Sequence, residues 1–493
     1  VLAVYDDQIE LEGYGLLPLA ADFHIYETYD GIRERDEKAL VVGYDIARFV
    51  VADGQVCAGL VEAKPDLTTI RVALQTTDYA GLYHSEIRIV PDTDVYMVTG
   101  EGQTLCPAGE EITFLPEYLD MGERIRLVPV DEKGRQTVET IRRSQGSPSY
   151  GGTLEINRRE EGLLLVNELG LEAYLCGVVP SEMPASYPME ALKAQAICAR
   201  TYGYRFILSA GLPEYGAHVD DTTAYQVYHN CKEHVATTTA VKETKGILLT
   251  YQDEPAQNYY YSTSCGSGTD ASIWKSGKQE DLSYLQPTGA RAEELQEEAD
   301  FAEFIKGTDA EDLEAEEPWY RWRYVVKKMD SAAILERMQE RYQVSPEAVL
   351  TKTDGDYYVA EPITDSSAIQ ELSVGKRGIG GVVDELLVVT GQGSYKIVAE
   401  YNIRYILCDR QTEVVRQDNT TIAPKMLLPS GFFIIETSKK GENVVGYTLI
   451  GGGYGHGVGM SQNGARALGK KGADYRQILE TYFPGCSLTQ GDV

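Results

Sequence analysis

One acidic side chain stands in a setting suited to chemistry. Glu182 lies in Val-Val-Pro-Ser-Glu-Met-Pro (178–184), a carboxyl between Pro180 and Pro184 just ahead of a helix-start signal. Ser186 is a candidate N-cap and Pro188 fits a first turn. Met189, Leu192, Ala196, Ala199, Gly203 and Phe206 then recur at steps of three and four. This predicts a helix over about 186–208, with a small-residue face and another backbone packed close to it. An acid fixed at such a point suits a general acid. The plainer alternative is an acid complementing a helix dipole, for about 0.3–1 kcal/mol, and spacing alone leaves both open.

Three other groupings invite chemistry. Gly451–Gly459 reads Gly-Gly-Gly-Tyr-Gly-His-Gly-Val-Gly, but it has no Walker spacing and no Gly-x-Gly-x-x-Gly register. It reads as a tight turn needing positive φ and close backbone approach. His229, Cys231 and His234 could be zinc ligands, yet three within six residues is not a structural-zinc spacing and no second pair is near, so no metal is expected. Cys265, followed by glycine, could pair with His456 as a thiol nucleophile, which would leave the Glu182 motif unexplained.

Val-Pro-Ser-Glu-Met-Pro, followed by Ala-Leu-Lys-Ala-Gln-Ala-Ile-Cys-Ala-Arg-Thr-Tyr (191–202), resembles the stage II sporulation protein D and amidase-enhancer family. The strand and small-residue turn over Pro255–Gly268 and the segment Gly451–Gly469 resemble its further signatures. The resemblance implies a lytic transglycosylase acting on peptidoglycan glycan strands without a cofactor, on glycan stripped of stem peptides and alongside a cell-wall amidase. It implies too that Gly451–Gly459 is a cleft wall where backbone and His456 approach a sugar. Glu182 would be the single general acid and base. A hydrolysing glycosidase usually deploys two carboxylates. Here the muramyl C6 hydroxyl would replace water and close a 1,6-anhydro ring. Apolar neighbours such as Met183 and Val179 would raise the pKa of Glu182. Glu172 and Glu190 are competing acids read as structural.

Gln195 and Arg200 match family positions with functional roles. Five residues apart on a helix, they point about 140° from one another. One would orient Glu182 or substrate and the other would support it. Tyr261, Ser262, Ser264, His456, Ser461 and Gln462 are the further candidate sugar contacts, the ring for stacking and the hydroxyls and amides for polar groups. Some family members hold zinc through a Cys and a His-Cys pair before Gln-Val-Tyr. This chain has Asp-Asp-Thr-Thr-Ala-Tyr there, which argues against that site. The runner-up reading is a non-catalytic glycan-binding activator of an amidase.

A net charge of −31 over 493 residues excludes a basic face for nucleic acid and disfavours anionic lipid, while a neutral glycan is compatible. Eight scattered cysteines without a Cys-x-x-Cys pair do not form a disulfide scaffold. No apolar run is long enough to span a membrane. The expected location is extracytoplasmic, with a leader or anchor removed from this sequence.

The fold expected is α+β: β-rich layers around the 186–208 helix. Residues 1–66 read as a small N-terminal β module, with a hairpin at Asp53-Gly54 and strands that include Ala39–Val42. Residues 68–149 form a β-rich lead-in, 150–290 a catalytic core, and 319–493 its second half, with Asp409–Asn419 as a loop. Residues 291–318 are an acidic insertion, read as a solvated run without chemistry. Asp474 with Gln477 reads as a capping box.

Overall fold

A computed structural model describes every residue except 67, 144–145, 210, 230–232, 275–281, 290, 354, 356, 425 and 492–493. With 24% helix and 36% strand the chain is a β-rich α+β protein, as its sequence indicates. It divides into two compact units, Val1–Gln257 with Ser487–Val493, and Asn258–Cys486.

The first unit opens with a six-stranded sheet that includes Gln8–Leu11, Gly15–Glu27, Ala47–Ala52 and Gln55–Val61. Ile9, Ile25, Leu40 and Val56 fill its core. Asp53 and Gly54 both take positive φ, the type I′ geometry that a two-residue hairpin demands. Ala39–Val42 is not a strand. Asp36 caps a single 3-10 turn at Glu37–Ala39, and the Val42 carbonyl accepts from His218 Nε2 at 2.9 Å instead of from a ladder partner.

A larger, eight-stranded sheet follows, with Thr69–Ala73, Arg124–Pro129, Thr153–Arg159 and Gly162–Gly170 among its strands. The strand Gly162–Gly170 runs without a loop into helix α1 (Leu171–Glu182), so the sheet fixes where α1 begins and hence where Glu182 ends. Helices α2 (Met189–Ser209) and α3 (Val235–Glu243) join α1 on one core containing Ile70, Leu171, Tyr174, Ala196, Ala199 and Val241.

Helix α2 starts three residues later than its sequence suggests. The Pro188 carbonyl accepts the Ala191 and Leu192 amides at 3.0 and 3.1 Å, leaving Ser186 exposed ahead of the helix. The close neighbours of its small face at Gly203 are side chains rather than another backbone: an added Cβ would lie 3.1 Å from Leu171 Cδ1 and 3.6 Å from Ile70 Cδ1. Past α3, Ile247–Tyr251 is the middle strand of a three-stranded sheet, between Glu254–Pro255 and the late strand Ser487–Gln490.

The second unit holds helix α4 (Glu298–Lys306) and two five-stranded sheets. One sheet centres on Trp322–Val326 and Asn443–Gly451, the other on Val383–Thr390 and Ser394–Val398. Helices α5 (Ser331–Val344) and α6 (Glu400–Ile406) contribute to a shared core with Trp322, Leu386, Ile397 and Leu449. The polar Asp409–Asn419 stretch contains a short strand, Val414–Arg416, because Trp322–Val326 offers it an edge to pair with.

Helices α7 (Gln462–Lys470) and α8 (Tyr475–Tyr482) close the unit. The capping box is present: Asp474 accepts the Gln477 amide at 2.9 Å, and the Gln477 side chain accepts the Asp474 amide at 3.0 Å. Replacing Asp474 with Ala leaves both first-turn bonds unmade or weakened. The expected cost is about 1 kcal/mol, read as a lower urea midpoint at unchanged m-value for the transition that reports α8.

Candidate functional site

Glu182 is the last residue of α1 and is half-buried. Its Oε1 accepts the backbone N–H of Val227 at 2.8 Å. That amide is aimed by its neighbours. Gln226 is buried, donating from Nε2 to the Ala199 carbonyl at 3.3 Å and accepting the Tyr174 hydroxyl at 3.3 Å. Tyr228 is buried too, donating to Asn167 Oδ1 at 3.1 Å, with its ring 4.9 Å from that of Tyr174. With Gln226 and Tyr228 anchored on either side, the Val227 amide has one direction left, toward the carboxylate.

The segment leading to it is held equally firmly. His218 accepts the Arg71 amide at Nδ1, 3.1 Å away, and donates from Nε2 to Val42; burial drives its pKa down to about 3, so it is a neutral structural ring. Asp221 accepts the Gln75 amide at 3.0 Å and Arg143 at 2.6 Å, although burial still pushes its carboxyl up to about 6. Within 218–228, His218, Asp221, Gln226 and Tyr228 are interior, and Thr223 and Ala224 are exposed.

Gln195 and Arg200 have no exposed surface. Arg200 grips Glu172 from Nε at 2.6 Å and Nη2 at 3.0 Å, and reaches the carbonyls of Val241 and Ile247 at 3.1 and 3.2 Å. It therefore ties α1, α2 and the end of α3 together and has no surface to present to a substrate, so of the two roles open to it the supporting one fits. Glu172 is spent on Arg200, and Glu190 on Lys193 at 2.9 Å.

The remaining candidates belong to the second unit. The strand Tyr260–Tyr261 pairs in parallel with Met460–Ser461, which brings the two later signatures side by side. Ser461 caps α7, and Asn463 Nδ2 donates to Thr263 Oγ1 at 3.0 Å. Ser262 is half-buried, with its hydroxyl 3.1 Å from that of Thr263. Tyr261, Ser264, Ser461 and Gln462 are all buried. The Tyr261 ring faces His456, with centroids 5.7 Å apart, and so does not lie open for stacking.

In the glycine-rich loop Gly453, Gly455, Gly457 and Gly459 all take positive φ, and a Cβ on Gly452 would fall 2.4 Å from the Tyr320 carbonyl. His456 is pinned within this loop. Its Nδ1 accepts the Val458 amide at 3.1 Å, so the proton sits on Nε2, which donates to the Tyr260 carbonyl at 3.1 Å. Burial and the Arg404 cation lower its pKa to about 4. Cys265 bonds the Ser267 carbonyl at 3.5 Å, and burial raises its thiol to about 11. The two therefore form no thiolate–imidazole pair.

Among the described residues no group of three or more His, Cys, Asp or Glu is placed to hold a metal ion. Cys231 lies outside those residues, and His229 Nδ1 is 2.6 Å from the Tyr79 hydroxyl.

Residues 159–251, which contain Glu182, α2 and the Gln226–Tyr228 anchor, match a family model described as Stage II sporulation protein. Residues 269–459 match one described as a domain of unknown function. The chain is 28% identical over 327 residues to the amidase enhancer of Bacillus subtilis (strain 168), covering 64% of this chain and 40% of that one. It is 28% identical over 344 residues to the stage II sporulation protein D of the same organism, covering 66% and 76%, and 26% identical over 398 residues to that of Bacillus amyloliquefaciens, covering 77% and 91%. These matches support the stage II sporulation protein D and amidase-enhancer family for this chain. Against the amidase enhancer it spans well under half the relative's length.

Two groups, one in each unit, escape a reading of side-chain types. The Val227 donor is a backbone group, and only the Gln and Tyr flanking it carry a signal. The other is Glu314, buried although it sits in the acidic run 291–318 that reads as solvated. Nothing in Asp-Leu-Glu-Ala-Glu-Glu (312–317) marks which carboxylate turns inward.

Arg200→Ala removes the buried partner of the half-buried Glu172, and breaking the pair costs up to about 3–5 kcal/mol, the figure for a fully buried one. The expected result is a large drop in the first unit's melting temperature. Arg200→Lys recovers only part of it, because one ammonium cannot reproduce the fork on Glu172.

Proposed function

We propose that this chain is an extracytoplasmic lytic transglycosylase that cleaves the MurNAc–GlcNAc bond of peptidoglycan, with Glu182 as its single general acid and base. The observation that carries the reading is the Glu182 carboxyl itself. It is half-buried at the end of α1, fixed at Oε1 by the Val227 amide, and lies within the segment that matches the sporulation family model. A carboxyl with one oxygen tethered to the backbone keeps its second oxygen in a defined direction, which proton transfer to a positioned substrate requires.

Glu182 gives its proton to the glycosidic oxygen as the bond to the muramyl C1 breaks, so the GlcNAc side leaves as a neutral alcohol. Positive charge grows at C1, and the 2-acetamido group assists it. The Glu182 carboxylate then takes the proton of the muramyl C6 hydroxyl while that oxygen bonds to C1. The 1,6-anhydro ring closes and the acid is regenerated; no water is consumed and no cofactor or metal is used. The half-buried Ser262 hydroxyl is proposed to serve recognition of the glycan, with the buried Ser461 and Gln462 supporting it, and the setting to be sporulation or cell-wall remodelling on glycan stripped of stem peptides. A second reading, a non-catalytic glycan-binding activator of a cell-wall amidase, is favoured by the name of the relative called amidase enhancer.

Mass spectrometry of products from amidase-treated peptidoglycan tests this. The wild-type chain is expected to release anhydro-muramyl ends, and Glu182→Gln to lower that rate about 10²–10⁴-fold without loss of folding. Reducing ends in their place would overturn transglycosylation in favour of hydrolysis. Glycan binding without cleavage by either protein would favour the activator reading.

A further inference from the structure

Two signature segments of the second unit meet on one group, the carboxyl of Glu314. Glu314 is 4% exposed. Its Oε2 accepts both the Ser264 backbone N–H at 2.8 Å and the Ser461 hydroxyl at 2.8 Å. Ser461 Oγ in turn accepts the Gly464 amide at 3.3 Å, capping α7. Ser264 Oγ accepts the Gly266 amide at 3.0 Å and donates to the Ser267 carbonyl at 3.2 Å. One carboxyl oxygen thus joins the turn after Tyr260–Tyr261 to the first turn of α7. Space is made for it: a Cβ on Gly464 would lie 2.9 Å from Glu314 Oε1 and 2.0 Å from the Tyr482 hydroxyl.

The surroundings favour a neutral acid. The ionisable groups facing Glu314 are Glu317 and Asp312 from its own segment, Tyr261 from the paired strand, Cys265 from the turn and Tyr482 from α8. None of these five is a cation. The nearby guanidiniums are engaged elsewhere: Arg466 with Glu317 at 2.6 Å, and Arg321 with the carbonyls of Cys265 at 2.8 Å and Gly307 at 2.9 Å.

We propose that Glu314 is the positioning residue of the glycan-contacting face of this unit, holding the Ser262–Ser267 turn against the Ser461–Gln462 cap in the one arrangement that presents Ser262 to a sugar's polar groups. The recognition half of this rests on the glycan reading above; the latch half stands on the two hydrogen bonds. As a carboxylic acid, Glu314 offers its carbonyl oxygen to both donors without burying a charge. Once ionised it places an uncompensated charge beside two acids and two phenols. Burial pushes its carboxyl up to about 8. An unfolded glutamate ionises near ~4.3, so the folded unit carries the extra proton between there and about 8. The latch is at full strength below that window and weakens as pH rises through it.

The test uses the whole chain, with amidase-stripped glycan strands as the probe, between pH 6 and pH 9. Glycan affinity is measured together with amide hydrogen exchange, corrected for intrinsic rate, at Ser264 and Gly464 in the absence of glycan. Wild-type protection at both amides is expected to fall from pH 6 to about 8 and level off above it, while glycan affinity falls by about tenfold per pH unit above about 8. Glu314→Gln, neutral at every pH and still offering a carbonyl oxygen, is expected to flatten both profiles. Glu314→Ala is expected to lose protection at all pH values. A Glu314→Gln profile that tracks wild type, or a Glu314→Ala protein with wild-type protection, overturns the proposal. If wild type binds no glycan at any pH, the glycan reading fails and with it the recognition half, while the exchange profiles still decide whether Glu314 is the latch.

Discussion

The first unit depends on a guanidinium held away from water. Arg200 sits in the middle of α2 with no exposed surface, and the Glu172 carboxylate and two carbonyls take up its donors. An ion buried this way costs several kcal/mol in desolvation unless its geometry is good, so the three helices must meet in one relation or the pair fails. Glu172 lies in the first turn of α1 and Glu182 at its end. Fixing the start of a rigid rod by ion pair and strand continuity fixes its far end. The position of a half-exposed acid is in this way inherited from a buried base that never approaches solvent.

The second unit solves a related problem with the opposite charge logic. Two segments distant in sequence, around Ser264 and Ser461, are joined through a carboxyl with no cation among its closest ionisable neighbours. An ion pair there would have needed a long basic side chain in a space where even a methyl group on Gly464 has no room. A carboxyl that accepts both donors does the same joining with less volume. His456 follows similar reasoning, since both its nitrogens serve backbone groups and its ring stays neutral.

Much of the local structure is legible in the residues. The Asp53-Gly54 hairpin, the capping box at Asp474, the Ser461 cap and the strand-to-helix lead into Glu182 follow from turn chemistry, capping and periodicity, which are short-range effects. What is not legible is where long-range partners arrive. Ala39–Val42 has strand-forming residues, yet an imidazole far along the chain takes the Val42 carbonyl. Arg200 has the look of a ligand-binding base, and only the tertiary arrangement reveals Glu172 beneath it. Glu314 is one acid among many in its run, and its burial depends on Ser264, Ser461 and Gly464 arriving together. The core position of Glu182 was readable because its motif is contiguous. The amide that holds it carries no residue type of its own.

The strand Ser487–Gln490 pairs with Ile247–Tyr251 although the whole second unit is encoded between them. During synthesis the ribosome therefore releases α1, α2 and α3 long before the last strand of their neighbouring sheet exists. Until then Ile247–Tyr251 has a partner only on its Glu254–Pro255 side, and its buried Leu248 and Leu249 wait at an open edge. Completion of the unit that carries Glu182 is thus deferred until Ser487–Gln490 has emerged. Maturation of the acid-bearing unit follows, in time, the making of the unit inserted into it.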